Sequence, residues 1–217
     1  MYGAGGHGRV VADILAETPG ADAVGFIDDD PSRHGQVVGK LRVLGGPEQL
    51  PRLRDEGVTR AIVTIGANRL RTSKAQTLIE AGLELATAIH PSAVLAPDVV
   101  VGAGTVVMAA AVMNTGTRIG RNAIINTGAT VDHDCVVGDG AHVSPGVNLA
   151  GNVHLGDEAH VGIGCSVIPG VRIGAGSTVG AGAVVLRDIP PHETWVGNPA
   201  RRIEHDEVEE KGRHGPA

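Results

Sequence analysis

Residues 119–137 read IGRNAIINTGATVDHDCVV: Ile119, Ile125, Val131 and Val137 recur every sixth position, and Ala123, Ala129 and Cys135 stand four residues after the first three. The register continues outward. Ile89, Leu95, Val101, Val107 and Met113 precede it, and Val143, Leu149, Leu155, Val161, Val167, Ile173, Val179 and Val185 follow, so all seventeen positions are aliphatic. The companion column is small or β-branched from Ala93 and Val99 through Thr105, Ala111 and Thr117 to Cys165, Val171, Ser177 and Ala183. An amphipathic helix repeats at about 3.6 and a half-buried strand at 2, so neither produces a period of six. A fixed short period is the mark of a solenoid. Three six-residue sides close one triangular coil with each aliphatic pointing inward, which makes residues 87–203 a left-handed parallel β-helix. Gly102, Gly120, Gly138, Gly156 and Gly174 recur once per coil, at corners where a Cβ would strain the turn. The run from Ile89 to Val185 supplies a little over five coils. Solenoid ends need caps, a role that falls to the N-terminal segment and to the stretch from Asp188 to Ile203.

Composition agrees with such a core. Of 217 residues 33 are Gly, and Tyr2, Phe26 and Trp195 are the only large aromatic rings, so the interior must be built from small and branched aliphatics. The absence of a three-residue period excludes collagen. A net charge of −6 argues against nucleic acid, which needs a clustered basic face. The longest uncharged apolar run, Val106 to Met113, is far short of the roughly 20 residues of a membrane span. With no secretory signal at Met1-Tyr2-Gly3, the cytoplasm is the expected compartment. Cys135 and Cys165 are too few for a disulfide framework and fall in the small-residue column, so both are expected to be reduced packing residues.

Residues 1–86 lack the period and read as a small α/β, Rossmann-like nucleotide-binding domain. Gly3-Ala4-Gly5-Gly6-His7-Gly8 fits the dinucleotide pattern of spaced glycines, with a helix expected from Arg9 to Thr18. Strands are expected at Ala23 to Ile27 and Ile62 to Ile65, then a helix from Arg69 to Ala81 and a strand leading to Ile89. Asp28 stands 20 residues after Gly8, the spacing of the acidic residue that meets a ribose. The pattern asks for a strand before the loop, yet only Met1 and Tyr2 precede Gly3, so the first strand reads as truncated. Residues 204–217 read as a solvated, disordered tail.

Gly3 to Gly8, Gly25-Phe26-Ile27-Asp28-Asp29, Val131-Asp132-His133-Asp134-Cys135, Ala150-Gly151-Asn152 and Trp195-Val196-Gly197-Asn198-Pro199-Ala200 together resemble bacterial sugar acetyltransferases, the family of sialic-acid O-acetyltransferases and nucleotide-amino-sugar N-acetyltransferases. The resemblance covers residues 2–203. It implies transfer of acetyl from acetyl-CoA to the amine of a nucleotide-linked amino-sugar in a homotrimer, with no metal. His suits proton removal near neutral pH, and His133 is the candidate base; the resemblance implies that Asp134 orients its ring. Gly151 lies one coil above His133, leaves space for substrate and offers a main-chain N–H to an oxyanion. By resemblance Gly5, Gly6, His7, Asp28, Asp29 and Gly66 bind the nucleotide-sugar, and His142, Ile163, Gly180 and Ala181 bind acetyl-CoA. Three other readings stay open. One moves the acceptor to a hydroxyl of sialic acid or another sugar. Another is a metal hydratase of the γ-carbonic-anhydrase type using His133, His142, His154 and His160. The third is a non-catalytic β-helix scaffold.

Overall fold

The computed structural model describes residues 1–203; the tail expected over 204–217 lies outside the described residues. From Ala88 onward the chain is a three-sided parallel β-solenoid whose two-residue strands pair with those one coil away. The first face stacks Ala88–Ile89, Val106–Val107, Ile124–Ile125, His142–Val143, His160–Val161 and Thr178–Val179. The second runs from Val94–Leu95 to Val184–Val185, and the third from Val100–Val101 to Arg172–Ile173. In each strand the period-six aliphatic is the second residue and points into the prism. From Met113 to Val185 every one is at most 3% exposed, and burying such a side chain stabilises the fold by about 1.5–3 kcal/mol.

The companion column fills the rest of the prism, and its polar members are satisfied one coil up. Thr105 Oγ1 donates to the Gly120 carbonyl (2.7 Å), Thr117 Oγ1 to Asp132 O (2.8 Å) and Ser177 Oγ to Pro190 O (2.7 Å). Cys135 and Cys165 occupy the same column, fully buried, their thiols directed at the Ala150 and Gly180 carbonyls. Aspartates tie corners together from outside: Asp98 accepts from Gly116 N, Asp139 from Arg121 N, Asp157 from Asp139 N and Asp188 from Arg172 N.

The corner glycines are required for a reason other than the one expected. None of Gly102, Gly120, Gly138, Gly156 and Gly174 has positive φ. A Cβ on Gly138 would instead stand 2.6 Å from Asp157 N and 2.7 Å from the Gly156 carbonyl carbon, the backbone of the next coil. The left-handed positions fall two residues later, at Gly104, Asn122, Gly140, Glu158 and Gly176. The coils are simply too close at these corners for any side chain.

The solenoid's far end is closed by Asp188 onward. Ile189 bridges to Ile173, and the strand Thr194–Val196 extends the first face, laying Trp195 beside Val179. Arg201–Ile203 turns back antiparallel onto it.

The N-terminal domain lies on the first face. Its central strand is reduced to one bridged residue, Tyr2, paired in parallel with both Ile27 and Val63. Three main-chain bonds hold it: Tyr2 N to Ile62 O (2.9 Å), Gly3 N to Ile27 O (2.8 Å) and Thr64 N to Tyr2 O (2.7 Å). Helix α1 (Gly6–Ala16) starts three residues earlier than expected. Gly8 packs against the Gly3 carbonyl and the Phe26 ring so closely that a side chain would collide, which lets the helix leave the loop at once. No element is expected from the sequence between Asp30 and Arg60. The structure places there a 3-10 turn at Pro31–Arg33 capped by Asp30, a hairpin of Val37–Val38 with Leu41–Arg42, and α2 (Leu50–Asp55). Helix α3 (Asn68–Glu80) follows. Val11, Ile14 and Leu15 of α1 share one apolar cluster with Ala88, Val106 and Met108, so the two domains have a common core.

Candidate active site

The corner between the second and third faces carries Asp132-His133-Asp134. His133 Nδ1 lies 2.9 Å from Asp134 Oδ2, so Nδ1 carries the proton and Nε2 presents its lone pair. Asp134 holds a left-handed backbone conformation (φ +57), pinned by its N–H to the Thr115 carbonyl. Asp132 Oδ1 accepts from both His133 N (2.8 Å) and Asn114 Nδ2 (2.7 Å), fixing the other side. The Asp134 hydrogen bond, helped by the charges of Asp132 and Asp134, raises the basicity of the half-exposed ring above that of ordinary histidine. Directly above it is Gly151, where a Cβ would stand 2.5 Å from His133 Nε2. Only glycine leaves the ring in place. Among the described residues the Gly151 N–H has no hydrogen-bond acceptor, so it remains available to a developing negative charge.

A second group gathers where the N-terminal domain meets the first face. His7 lies in the first turn of α1, where helix N–H groups point outward and favour an anion. Side chains on Gly5, Gly6 or Gly66 would meet nothing within 4 Å, so these glycines border open space, unlike Gly3 and Gly8. Asp28 and Asp29 are already engaged: Asp28 accepts from Ala4 N (2.7 Å) and Asp30 N (3.0 Å), and Asp29 from Tyr2 OH (2.6 Å) and Lys74 Nζ (2.7 Å). They shape the glycine loop and tie it to α3.

His142 projects from the first face and stacks on His160, centroids 4.9 Å apart. Asn126 Oδ1 accepts from Thr127 N, which turns its Nδ2 toward His142 Nε2 at 3.1 Å. Nε2 therefore accepts, and Nδ1 carries a hydrogen that has no formed bond. His160 is held by Ser144 Oγ at 3.0 Å. Burial pushes the His142 pKa down to about 3 and that of His7 to about 4, the Arg71 charge adding to both; His160 is lowered for the same reasons. All three rings are neutral at pH 7. Ile163 (60% exposed), Gly180 and Ala181 form a shelf at the corner after the first face, with Gly182 N bonded to Ile163 O.

The structure thus brings His7, Gly66 and His142 together, while His133, Asp134 and Gly151 lie at the corner away from the face that the N-terminal domain covers. Residues that sequence reasoning passed over, Arg71, Asn126 and Ser144, order the seam. Arg71 had one visible signal, a charged side chain on the stripe it shares with Ala75 and Leu78 in α3. Among the described residues no cluster of three or more His, Cys, Asp or Glu is placed to hold a metal ion, and no helix is long and apolar enough to cross a membrane.

A three-sided solenoid with a carboxylate-oriented histidine at one corner and a glycine-loop domain on one face defines a hexapeptide-type transferase. Residues 1–78 match the PglD N-terminal domain, and residues 116–151 and 152–187 each match the bacterial transferase hexapeptide (six repeats). The structure of PerB from Caulobacter crescentus in complex with CoA and GDP-perosamine is similar at 44% identity and TM-score 0.89, covering 94% of this chain and 95% of that one. The acetyltransferase domain of PglB from Neisseria gonorrhoeae FA1090, in complex with acetyl coenzyme A, is similar at 40% identity and TM-score 0.85, covering 93% and 97%. UDP-N-acetylbacillosamine N-acetyltransferase of Bacillus subtilis (strain 168) is 38% identical over 110 residues, about half the length of each chain. The chain belongs to this hexapeptide family of nucleotide-sugar acetyltransferases.

Proposed function

We propose that this protein acetylates the amine of a nucleotide-linked amino-sugar with acetyl-CoA, working as a homotrimer in the cytoplasm. The observation that carries the reading is the His133–Asp134 pair beneath Gly151. The amine nitrogen attacks the thioester carbonyl carbon while His133 Nε2 takes its proton. The carbonyl oxygen, now negative, accepts from the Gly151 N–H. Collapse of the tetrahedral adduct breaks the C–S bond, and the proton held by His133 leaves with the CoA thiolate.

The substrates are assigned to the seam and its shelf. Gly5, Gly6, His7 and Gly66 receive the nucleotide-sugar, with Asp28 and Asp29 holding the loop. His142 and the shelf of Ile163, Gly180 and Ala181 receive acetyl-CoA. In one chain these groups face away from His133, so His133 of one subunit must work on substrates held by a neighbour. The exposure of the outward valines Val94 (60%), Val100 (51%) and Val136 (37%), which would be covered in a trimer, supports this. The complex of PerB with GDP-perosamine and the similarity to UDP-N-acetylbacillosamine N-acetyltransferase favour an amine acceptor over a sialic-acid hydroxyl.

Thiol release from acetyl-CoA, measured with UDP-, GDP- and dTDP-linked amino-sugars and with sialic acid, tests the reading. Turnover on an amino-sugar is expected; turnover on sialic acid alone would replace it. Light scattering should give three times the 22.0 kDa chain mass, and a monomer at micromolar concentration would remove the shared site.

A further inference from the structure

The domain seam contains a charge that the proposed chemistry does not use. Arg71 is wholly buried. Its Nε donates to Asn122 O (2.7 Å), Nη1 to Ile65 O (3.1 Å) and Gly66 O (2.9 Å), and Nη2 to Asn68 Oδ1 (2.9 Å) and Gly140 O (2.7 Å). Two of these acceptors belong to solenoid coils and two to the loop that precedes α3. Among the described residues no carboxylate lies within ion-pairing distance of the guanidinium. Hydrogen bonds to neutral carbonyls satisfy its donors, and the charge that opposes its own is that of Glu158, beyond ion-pairing distance, a costly arrangement for a buried ion.

We propose that Arg71 is a positioning residue that locks the Gly66 loop against the coil carrying His142 and so fixes the nucleotide-sugar subsite relative to the acetyl group. This rests on the assignment of the acceptor to the seam. The lock follows from Gly66, whose carbonyl is held by Arg71 Nη1 while Nη2 reaches the Gly140 carbonyl, two residues before His142. A shift of that loop moves the nucleotide subsite relative to the acetyl group.

The test uses the full-length enzyme with Arg71→Lys and Arg71→Gln, neither of which has the fork that reaches the loop and the coils at once. Each should raise KM for the nucleotide amino-sugar by about 10-fold, the loss of one charge-assisted hydrogen bond or so, with KM for acetyl-CoA unmoved. An unchanged acceptor KM in folded Arg71→Lys, or an equal rise in both KM values, overturns the proposal. If Arg71→Gln does not fold, the KM split in Arg71→Lys decides. Failure of the unsubstituted enzyme on every amino-sugar defeats the functional reading instead, and hydrogen exchange at Gly66, which should be faster in Arg71→Lys, still reports on the lock.

Discussion

The solenoid and the N-terminal domain use glycine in opposite ways. In the solenoid, Gly102, Gly120, Gly138, Gly156 and Gly174 are packed so closely against the next coil that no side chain fits, whereas Gly5, Gly6 and Gly66 face empty space. The first set serves the fold. The second leaves room for something that is not part of the chain. Gly151 joins the two uses, because what crowds it is the ring of His133 rather than backbone.

Substitutions can break or sharpen this contrast. His133→Ala should have the largest effect, lowering kcat by about 10²- to 10⁴-fold, the usual share of general acid–base catalysis, with assembly state and CoA affinity intact; unchanged turnover at saturating substrates would pass the role to His142. Gly151→Ala should come next, near ~10²-fold in kcat at little cost in melting temperature, since its methyl displaces a half-exposed ring and removes alignment with the oxyanion donor. Asp134→Asn should cost about 10-fold. Because the Asp134 hydrogen bond raises the His133 pKa, its loss should also move the acidic limb of the rate profile to lower pH; a limb that stays in place would assign that ionisation elsewhere.

For the glycines themselves, Gly138→Ala should destabilise by about 1–3 kcal/mol through overpacking, read as a lower denaturation midpoint. Gly5→Ala should leave that midpoint alone and raise KM for the acceptor, and equal loss of stability in both would erase the distinction. Smallest of all, Cys135→Ala and Cys165→Ala should cost about 1 kcal/mol or less each and leave turnover intact.

Acid should find the seam before the solenoid. His7 and His142 have folded-state pKa values of about 4 and about 3 against 6.5 in the unfolded chain. The unfolded state therefore binds more protons between those values. Stability is full above pH 6.5 and falls as pH drops toward 4. Hydrogen exchange across that window should open α1 and α3 first, and uniform opening would contradict it.

The solenoid was legible because its rule is repeated: one misread position changes little when sixteen others agree. The outward residues do not mark the covered face: Ala88, Val106 and Ile124 on it are fully buried, yet Val94 and Val100 on the other two are equally apolar and exposed. The N-terminal domain offers no such redundancy. Its central strand is a single bridged residue, its hairpin joins two-residue strands, and neither is long enough to show alternation. For the same reason the chemistry was half visible. His133 and Asp134 are neighbours in sequence, whereas the bonds of Arg71 to Asn122 and Gly140 span 51 and 69 residues and leave no local trace.

The aspartates that tie one corner to the next also make the molecule extensible. Each bridge reaches about one coil, as do the hydroxyl and thiol contacts inside the prism, so inserting or excising a whole coil would restore every pairing. The hydrogen bonds of the N-terminal domain end at Ala159, whose carbonyl accepts from Asn68, and the cap begins at Asp188. A coil added between them would lengthen the shelf by about 4.8 Å without touching the domain seam or His133. Evolution and design alike can thus change the length of that edge in fixed steps while the domain seam stays as it is.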